Sequence, residues 1–408
     1  MRDNQKSVAI KKFCFDELFR PVSGDAFLRD FWGSQPLYAP GKNGRFEQLL
    51  SWRALNKLLA SHRLDHPRIR LAKDGCILDP SQFLRHVRSG RGGLVPRVDP
   101  KMLHELLRDG ATLVVDDIDE LADGVLVVAE EIERRVQEYA QANLYVSWSD
   151  TKGFTTHWDN HDVIVLQVHG SKTWRVFRPQ EVAPLPGAVG PAPQPNEQPS
   201  LSVTLDSGDA LYIPRGWWHD AQASGGPSMH LTYGVTKTTG MDFAASLLEQ
   251  LRSHSEMRMD LPRFASPEQF AAHESRLKQI ICDVVGRSRL GEFIDATDAR
   301  CGLRRRPSLP WAITPSMYPL TEEHIVSWAP TRTLAFESTE SGEVTEVAGK
   351  RYTFTTSARA ILDQMASLGA TSIGDLHGVI GKGTMDFESL TEFVLALADE
   401  GLATVDLP

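Results

Sequence analysis

The 408-residue sequence has few cysteines, no long apolar run and no excess of positive charge, and each shortage removes a class of protein. Cys14, Cys76, Cys282 and Cys301 are scattered without a CxxC pair. That spacing excludes a disulfide frame or a thiolate zinc site and predicts reduced, mostly packed thiols, as in a cytoplasmic protein. No stretch approaches the ~18 consecutive apolar residues that would span a bilayer. The opening "MRDNQKSVAIKKFCF" lacks the apolar core and small-residue cleavage site of a secretory signal. A net charge of −9 speaks against general nucleic-acid affinity and favours a basic partner. What is present is ordinary for globular proteins: 41% hydrophobic and 24% charged residues, in a chain long enough for two or three domains.

Along the chain the texture changes twice. Residues 1–100 mix short helices and loops. "SGDAFLRDFWGSQPLYAPG" predicts a helix starting at Ser23 or Asp25 and stopping at Gly33, and "DPSQFLRHVRSG" (79–90) shows the same start and stop signals. "PKMLHELLRDG" (100–110) and "DGVLVVAEEIERRVQEYAQ" have helical apolar spacing, with "ATLVVDDIDEL" a buried strand before the second. From 143 to about 237, short β-rich runs separated by Gly, Pro and Asp predict a sandwich or barrel. The proline-rich 181–200 cannot join a sheet interior and is expected to loop over a barrel mouth or act as a spacer. From 241 to about 300 the pattern is helical again. After a basic, proline-punctuated linker, the chain ends in two or three helices and a short apolar strand, an order that suits a small winged-helix domain.

The chemistry concentrates in "GFTTHWDNHDVIVLQVHGSKTW" (153–174). As a helix, it would set His157 and His161 at i, i+4, but Trp158 stands where a zinc peptidase needs Glu. The β-branched run between Gly153 and Gly170 favours a strand, on which His157 and Asp159 share a face. "DSGDALYIPRGWWHDA" adds His219 from a later strand. Two imidazoles and a carboxylate on one face of an ion leave three positions open, the arrangement of non-haem Fe(II) oxygenases. Lys172, with Trp174 and Val176, falls on the inner face of the next strand, where an ammonium needs an anion to offset desolvation. A dicarboxylate chelating iron at one end would supply that anion, and Asn143 and Tyr145 share a face from which they could hydrogen-bond it.

These segments together resemble the JmjC-type, cupin-fold 2-oxoglutarate oxygenases, and within them the bacterial ribosomal-oxygenase group. "FLRDFWGSQPLY" (27–38) is similar to that group's opening segment and "MRMDLPRF" (257–264) to the start of its dimerisation region. The resemblance implies an α+β chain. A double-stranded β-helix (jelly-roll, cupin) catalytic domain would occupy 1–240, a helical dimerisation region 241–305 and a winged-helix-like domain 306–408. It implies Fe(II) held by His157, Asp159 and His219, which are also the catalytic residues. Lys172 would bind the far carboxylate of 2-oxoglutarate, with Asn143 and Tyr145 in the same pocket. Phe154 stands where some relatives carry Thr, and Gly234 where some carry Ser, with Tyr145, Thr155 and Thr232 as candidate substitutes.

The implied reaction is hydroxylation of a protein side chain, Arg or His of a basic ribosomal protein, with release of succinate and CO2 by a cytoplasmic homodimer. Relatives also act on RNA bases or peptide natural products. A non-oxygenase metal-binding cupin and a winged-helix DNA regulator are the rivals from other classes. Against DNA, residues 351–408 carry three basic side chains (Arg351, Arg359, Lys382) and eight acidic ones, the wrong sign for phosphate. Trp158, Trp217 and Trp218 border the ligand positions and either contact substrate or pack the barrel rim. His161 and His230 are expected to line the pocket or support it rather than bind metal.

Overall fold

The structure, a computed structural model, describes residues 13–90, 92–148, 153–185, 197–304, 306–381 and 385–407. Most of the proline-rich connection and Lys382 lie outside these residues. The chain forms two compact units that divide between Lys237 and Thr238.

The first unit opens with α1 (Gly24–Asp30), whose free Ala26 N–H is capped by Ser23. Gly33, at φ +68, turns the chain toward β1 (Leu37–Ala39). Then follow α2 (Trp52–Ser61), β2 (Ile69–Lys73), β3 (Cys76–Ile77), β4 (Leu84–Arg88), β5 (Leu94–Val98), α3 (Pro100–Arg108), β6 (Thr112–Val115) and α4 (Asp123–Val136). The helix expected over 79–90 is corrected here. Asp79 does cap a turn, but only the 3-10 turn Pro80–Gln82, after which β4 pairs antiparallel with β5. Glycines at 90, 92 and 93 let the chain reverse, and Ser89 N–H donates to Gly93 O at 2.7 Å. Cross-strand pairing outweighs a start signal that is local.

The barrel is built from β7 (Tyr139–Ser147), β8 (Asp162–His169), β9 (Lys172–Phe177), β10 (Leu201–Leu205), β11 (Ala210–Ile213), β12 (Trp218–Ala223) and β13 (Ser228–Thr236). A large sheet runs β1-β11-β8-β13-β7-β6-β2-β3, and a small one runs β10-β9-β12. The barrel strands thus divide between two layers, β7, β8, β11 and β13 in one and β9, β10 and β12 in the other, a cupin-like fold. The alternation within β8 shows why its sequence is apolar throughout. Ile164, Leu166 and Val168 pack into the core shared with the helices. Val163 and Val165 face the other way, onto Trp174, Val176 and Leu205 of the small sheet. At the β8–β9 turn Gly170 has φ +65, and a Cβ there would sit 2.0 Å from Pro227 O, so only glycine fits.

The second unit begins with α5 (Gly240–Arg252), α6 (Ser255–Arg258), α7 (Pro267–Arg287) and α8 (Leu290–Arg300). α5 and α7 both start with reciprocal capping boxes, Thr239 with Asp242 and Ser266 with Gln269. Next come β14 (Ile325–Trp328), β15 (Glu337–Thr339), β16 (Gly342–Val347), β17 (Lys350–Phe354), α9 (Thr356–Leu368), β18 (Thr371–Ser372), α10 (Ile373–Ile380), α11 (Phe387–Asp399) and β19 (Ala403–Asp406). The meander β15-β16-β17 and the sheet β18-β14-β19 border a core that includes Trp328, Ile361, Leu376 and Val394.

The cysteines form no disulfide with one another, but the packing expected of them is corrected: Cys14, Cys76 and Cys282 are exposed and Cys301 half-buried. Cys76 sits on a two-residue strand at the sheet edge and Cys282 on the outer side of α7, where no core covers them.

Candidate active site

His157 and Asp159 precede β8 rather than lie on a strand, which corrects the sequence-based placement. Two other constraints make them converge. His157 forms an isolated antiparallel bridge with His219 on β12, with N–H···O distances of 3.1 and 2.7 Å. The Asp159 carbonyl accepts from Gly216 N–H at 3.0 Å, fixing the loop before β12. Two residues far apart in sequence thus become direct backbone partners, with rings 4.5 Å apart between centroids.

The side chains follow. One ligand atom from each of His157, Asp159 and His219 lies within 4.8 Å of the others. His219 Nε2 is 3.5 Å from one Asp159 oxygen, and His157 Nε2 is 4.0 Å from the other. His157 Nδ1 lies 2.8 Å from Thr155 O and His219 Nδ1 lies 3.0 Å from Trp217 O. A carbonyl only accepts, so both rings carry their proton on Nδ1 and turn the Nε2 lone pair toward Asp159. Burial lowers the His219 imidazole below the ordinary histidine value, which keeps it neutral. Two imidazoles and a carboxyl group on one side of a point suit Fe(II) with open positions.

Buried polar bonds hold this frame. Asp220, next to His219, takes a bidentate bond from Arg175 (2.9 and 2.6 Å) and one from the Thr156 hydroxyl (2.7 Å). The fully buried Asp162 accepts from Arg215 N–H at 2.9 Å, from Lys237 at 2.6 Å and from the Tyr212 hydroxyl. It ties the start of β8 to the loop that carries His219. Neither aspartate was singled out in the sequence. Their strongest signal is a carboxylate amid apolar residues, which says nothing about its partner.

The triad lines a cavity of about 310 Å³ between the two sheets. Opposite walls bring Asn143 and Tyr145 from β7, Lys172 and Trp174 from β9, and His230 and Thr232 from β13. Lys172 is only 6% exposed and takes part in no ion pair among the described residues. Desolvation alone pulls its ammonium down to about 8. Beside it, burial and the Lys172 charge push His230 well below the ordinary histidine value. His230 stacks on Tyr145 at 4.9 Å, while its Nδ1 and the Trp174 Nε1 are buried without a partner among the described residues. The Asn143 side-chain oxygen accepts from Asp117 N–H at 3.0 Å. Desolvation and the Asp159 charge raise the Tyr145 hydroxyl far above neutrality, so it stays a donor. A buried ammonium beside the unpaired Trp174 N–H is the complement of a small anion.

Thr232 and Phe154 line the cavity, but Thr155 does not; it is exposed, and its backbone carbonyl accepts the hydrogen bond from His157 Nδ1. Trp158, Trp217 and Trp218 are also outside the lining, and Trp217 packs with the small-sheet core. Arg70 on β2 and Thr112 on β6 do line it, with Arg70 held by Asp116 at 2.6 and 2.7 Å. They come from strands that extend the large sheet beyond the barrel, which no local pattern reveals.

His161 enters the cavity through the space that Gly234 leaves. A Cβ on Gly234 would stand 2.7 Å from the His161 ring. Gly234→Ser therefore displaces His161, at an expected cost of about 1–3 kcal/mol. Thermal melts should show the loss relieved in the His161→Ala/Gly234→Ser double variant; an equal loss in both would refute the steric pairing.

Residues 125–243, which contain the triad and Lys172, match a family model described as JmjC domain. This segment is a JmjC domain. The chain is 25% identical over 265 residues to the bifunctional lysine-specific demethylase and histidyl-hydroxylase NO66 of Drosophila pseudoobscura pseudoobscura, covering 60% of this chain and 25% of that protein. It is 27% identical over 262 residues to human ribosomal oxygenase 1, covering 61% and 39%. The chain thus spans well under half the length of these relatives. Among solved structures, Escherichia coli ribosomal oxygenase YcfD aligns with a TM-score of 0.59 at 16% identity, over 94% of this chain and 98% of that one. The same values hold for YcfD in complex with cobalt and 2-oxoglutarate. At that identity the likeness establishes the fold around the JmjC domain.

Proposed function

We propose that this protein is an Fe(II)- and 2-oxoglutarate-dependent oxygenase that hydroxylates a protein side chain, Arg or His of a basic ribosomal protein, releasing succinate and CO2. One observation carries the reading: a single cavity holds both the two-imidazole, one-carboxylate cluster and a buried ammonium without a counter-ion among the described residues. The cluster alone would suit many metal cupins. The ammonium adds a demand for a second anionic group at a distance from the ion, which a chelating dicarboxylate meets.

His157, Asp159 and His219 would hold the ion, and Fe(II) with 2-oxoglutarate supplies the O2 activation that no side chain can perform. The chain's own work is positional. Lys172 pairs with the far carboxylate, Asn143, Tyr145 and Thr232 offer polar contacts beside it, and Trp174 with Phe154 wall out water. No protein acid or base is assigned, since the ion and 2-oxoglutarate would supply the O2 chemistry while the side chains of the cavity bind and orient. The names of the curated relatives and of the YcfD structures support the ribosomal-protein substrate, as does the chain's net charge of −9.

The same proposal divides the chain into a catalytic domain over 1–240, a dimerisation region over 241–305 and a winged-helix-like domain over 306–408, working as a cytoplasmic homodimer that does not bind DNA. α5, α7 and α8 support the dimer. They expose Met241, Leu248, Phe270, Val285, Leu290 and Ile294 and bury little besides Ile280 and Val284. Such a face on one unit calls for a second copy. Leu248→Glu/Val285→Glu should convert a dimer to monomer in light scattering coupled to gel filtration; an unchanged mass would place the interface elsewhere.

The direct test compares intact masses of ribosomal proteins from cells with and without this gene. A mass gain of one oxygen atom, restored by the wild type and not by Asp159→Ala, supports the assignment. Succinate formation that no ribosomal protein stimulates would redirect the search to RNA or peptide products.

A further inference from the structure

A second and larger cavity, about 530 Å³, lies in the first unit away from the triad, and none of its lining residues belongs to the barrel cavity. α2 contributes Trp52, Leu55, Asn56 and Leu59, and α3 contributes Leu103, His104, Leu107 and Arg108. Leu113 of β6 and Trp148, just after β7, complete it. Its apolar side is deep: Leu55, Leu103, Leu107 and Leu113 are all buried. Trp52 and Trp148 stand 5.6 Å apart with rings tilted by 43°, and Trp148 remains 39% exposed. A volume of this size falls in the range of small-molecule sites.

The charge on its lining has one sign. His104 and Arg108 are the titratable residues of the lining, and no carboxylate joins them. α2 itself carries Arg53 and Lys57 and no acid. Of the acids at the α3 side, Asp109 pairs with Lys73 at 2.5 Å, and the exposed Glu105 lies 4.0 Å from Lys101. Arg108, in contrast, makes no ion pair among the described residues. A Trp- and Leu-walled cleft with an uncompensated guanidinium at its edge, in a chain of net charge −9, is not explained by packing. It has the anatomy of a pocket for an apolar body with a negatively charged end.

We propose that the α2–α3 cleft is a second ligand site, for a small carboxylate with a bulky apolar body, whose chain lies on Trp52, Trp148 and the leucines and whose carboxylate pairs with Arg108. It is independent of the oxygenase reading, since no residue is shared with the triad cavity.

Decanoate serves as the probe, with 1-decanol and decyltrimethylammonium as uncharged and cationic counterparts, titrated calorimetrically into the full-length protein. Decanoate is expected to bind saturably at one site per chain and more tightly than either counterpart. Arg108→Glu, at an exposed position, should weaken it by about tenfold or more. Asn56→Trp, which fills the cleft from its solvent side, should remove binding while circular dichroism stays unchanged. Because Lys172 could also attract a carboxylate, Lys172→Ala is the control, and it should bind decanoate like the wild type. Loss of binding in Lys172→Ala with retention in Arg108→Glu would move the carboxylate to the barrel and overturn the proposal. So would equal affinity for all three probes, or no saturable binding.

Discussion

His157→Ala, Asp159→Ala and His219→Ala are each expected to abolish conversion of 2-oxoglutarate to succinate, a loss of at least about a hundredfold, while His161→Ala retains much of the activity. The difference is geometric. The first three project one donor atom each into a common volume, and the Nδ1 bonds to Thr155 O and Trp217 O leave no other role for the histidine lone pairs. His161 lines the same cavity, but its Nδ1 faces Asn160 Oδ1 at 3.2 Å and it belongs to no ligand cluster among the described residues. His157 and Asp159 are only partly buried, so their removal should leave the fold intact by circular dichroism. Loss of activity in His161→Ala together with retention in Asp159→Ala would reverse the ligand assignment.

Lys172→Met should separate function from stability. Burial drives the Lys172 ammonium from 10.5 to about 8. Between those values the unfolded chain holds a proton that the folded chain lacks. Stability of the unliganded protein therefore rises with pH across that window, and below about 8 the penalty is fully present. A shift of this size corresponds to on the order of 3 kcal/mol. Lys172→Met removes that burden, so the metal-free variant should melt higher than the wild type at neutral pH. The same variant should raise the KM for 2-oxoglutarate by about a hundredfold, since a buried unpaired charge is what the far carboxylate would neutralise. In the wild type, affinity for 2-oxoglutarate should fall as pH rises through about 8, with a proton taken up on binding. A variant that melts lower and keeps its KM would show that Lys172 supports the barrel and does not anchor the co-substrate.

The two outcomes explain what the sequence made legible. His157, Asp159, His219 and Lys172 could be picked out because each sits beside a strand or turn signal: Gly153, the β-branched run of β8, the Gly170 reversal and the Gly208–Asp209 turn. Alternation placed Lys172, Trp174 and Val176 inward, and all three are buried. Long-range pairing was not legible. Nothing in the sequence says that His157 and His219 are bridge partners, or that Asp162 ties the His219 loop. The same limit accounts for the segment at 79–90, where capping residues signal a helix but a hairpin forms with 94–98. It also accounts for β14, a short strand whose partner β19 lies about eighty residues away in the chain. Arg70 reaches the cavity by way of β2, a strand added outside the barrel.

Anaerobic titration of the purified protein with Fe(II) and 2-oxoglutarate tests the metal centre most directly, read by the visible charge-transfer absorption of the chelate. The wild type should develop the band at one ion per chain, Asp159→Ala and His219→Ala should not, and Lys172→Met should need far more 2-oxoglutarate to reach it. A band of full strength in Asp159→Ala and His219→Ala, or none in the wild type, would contradict a ferrous site at these three residues.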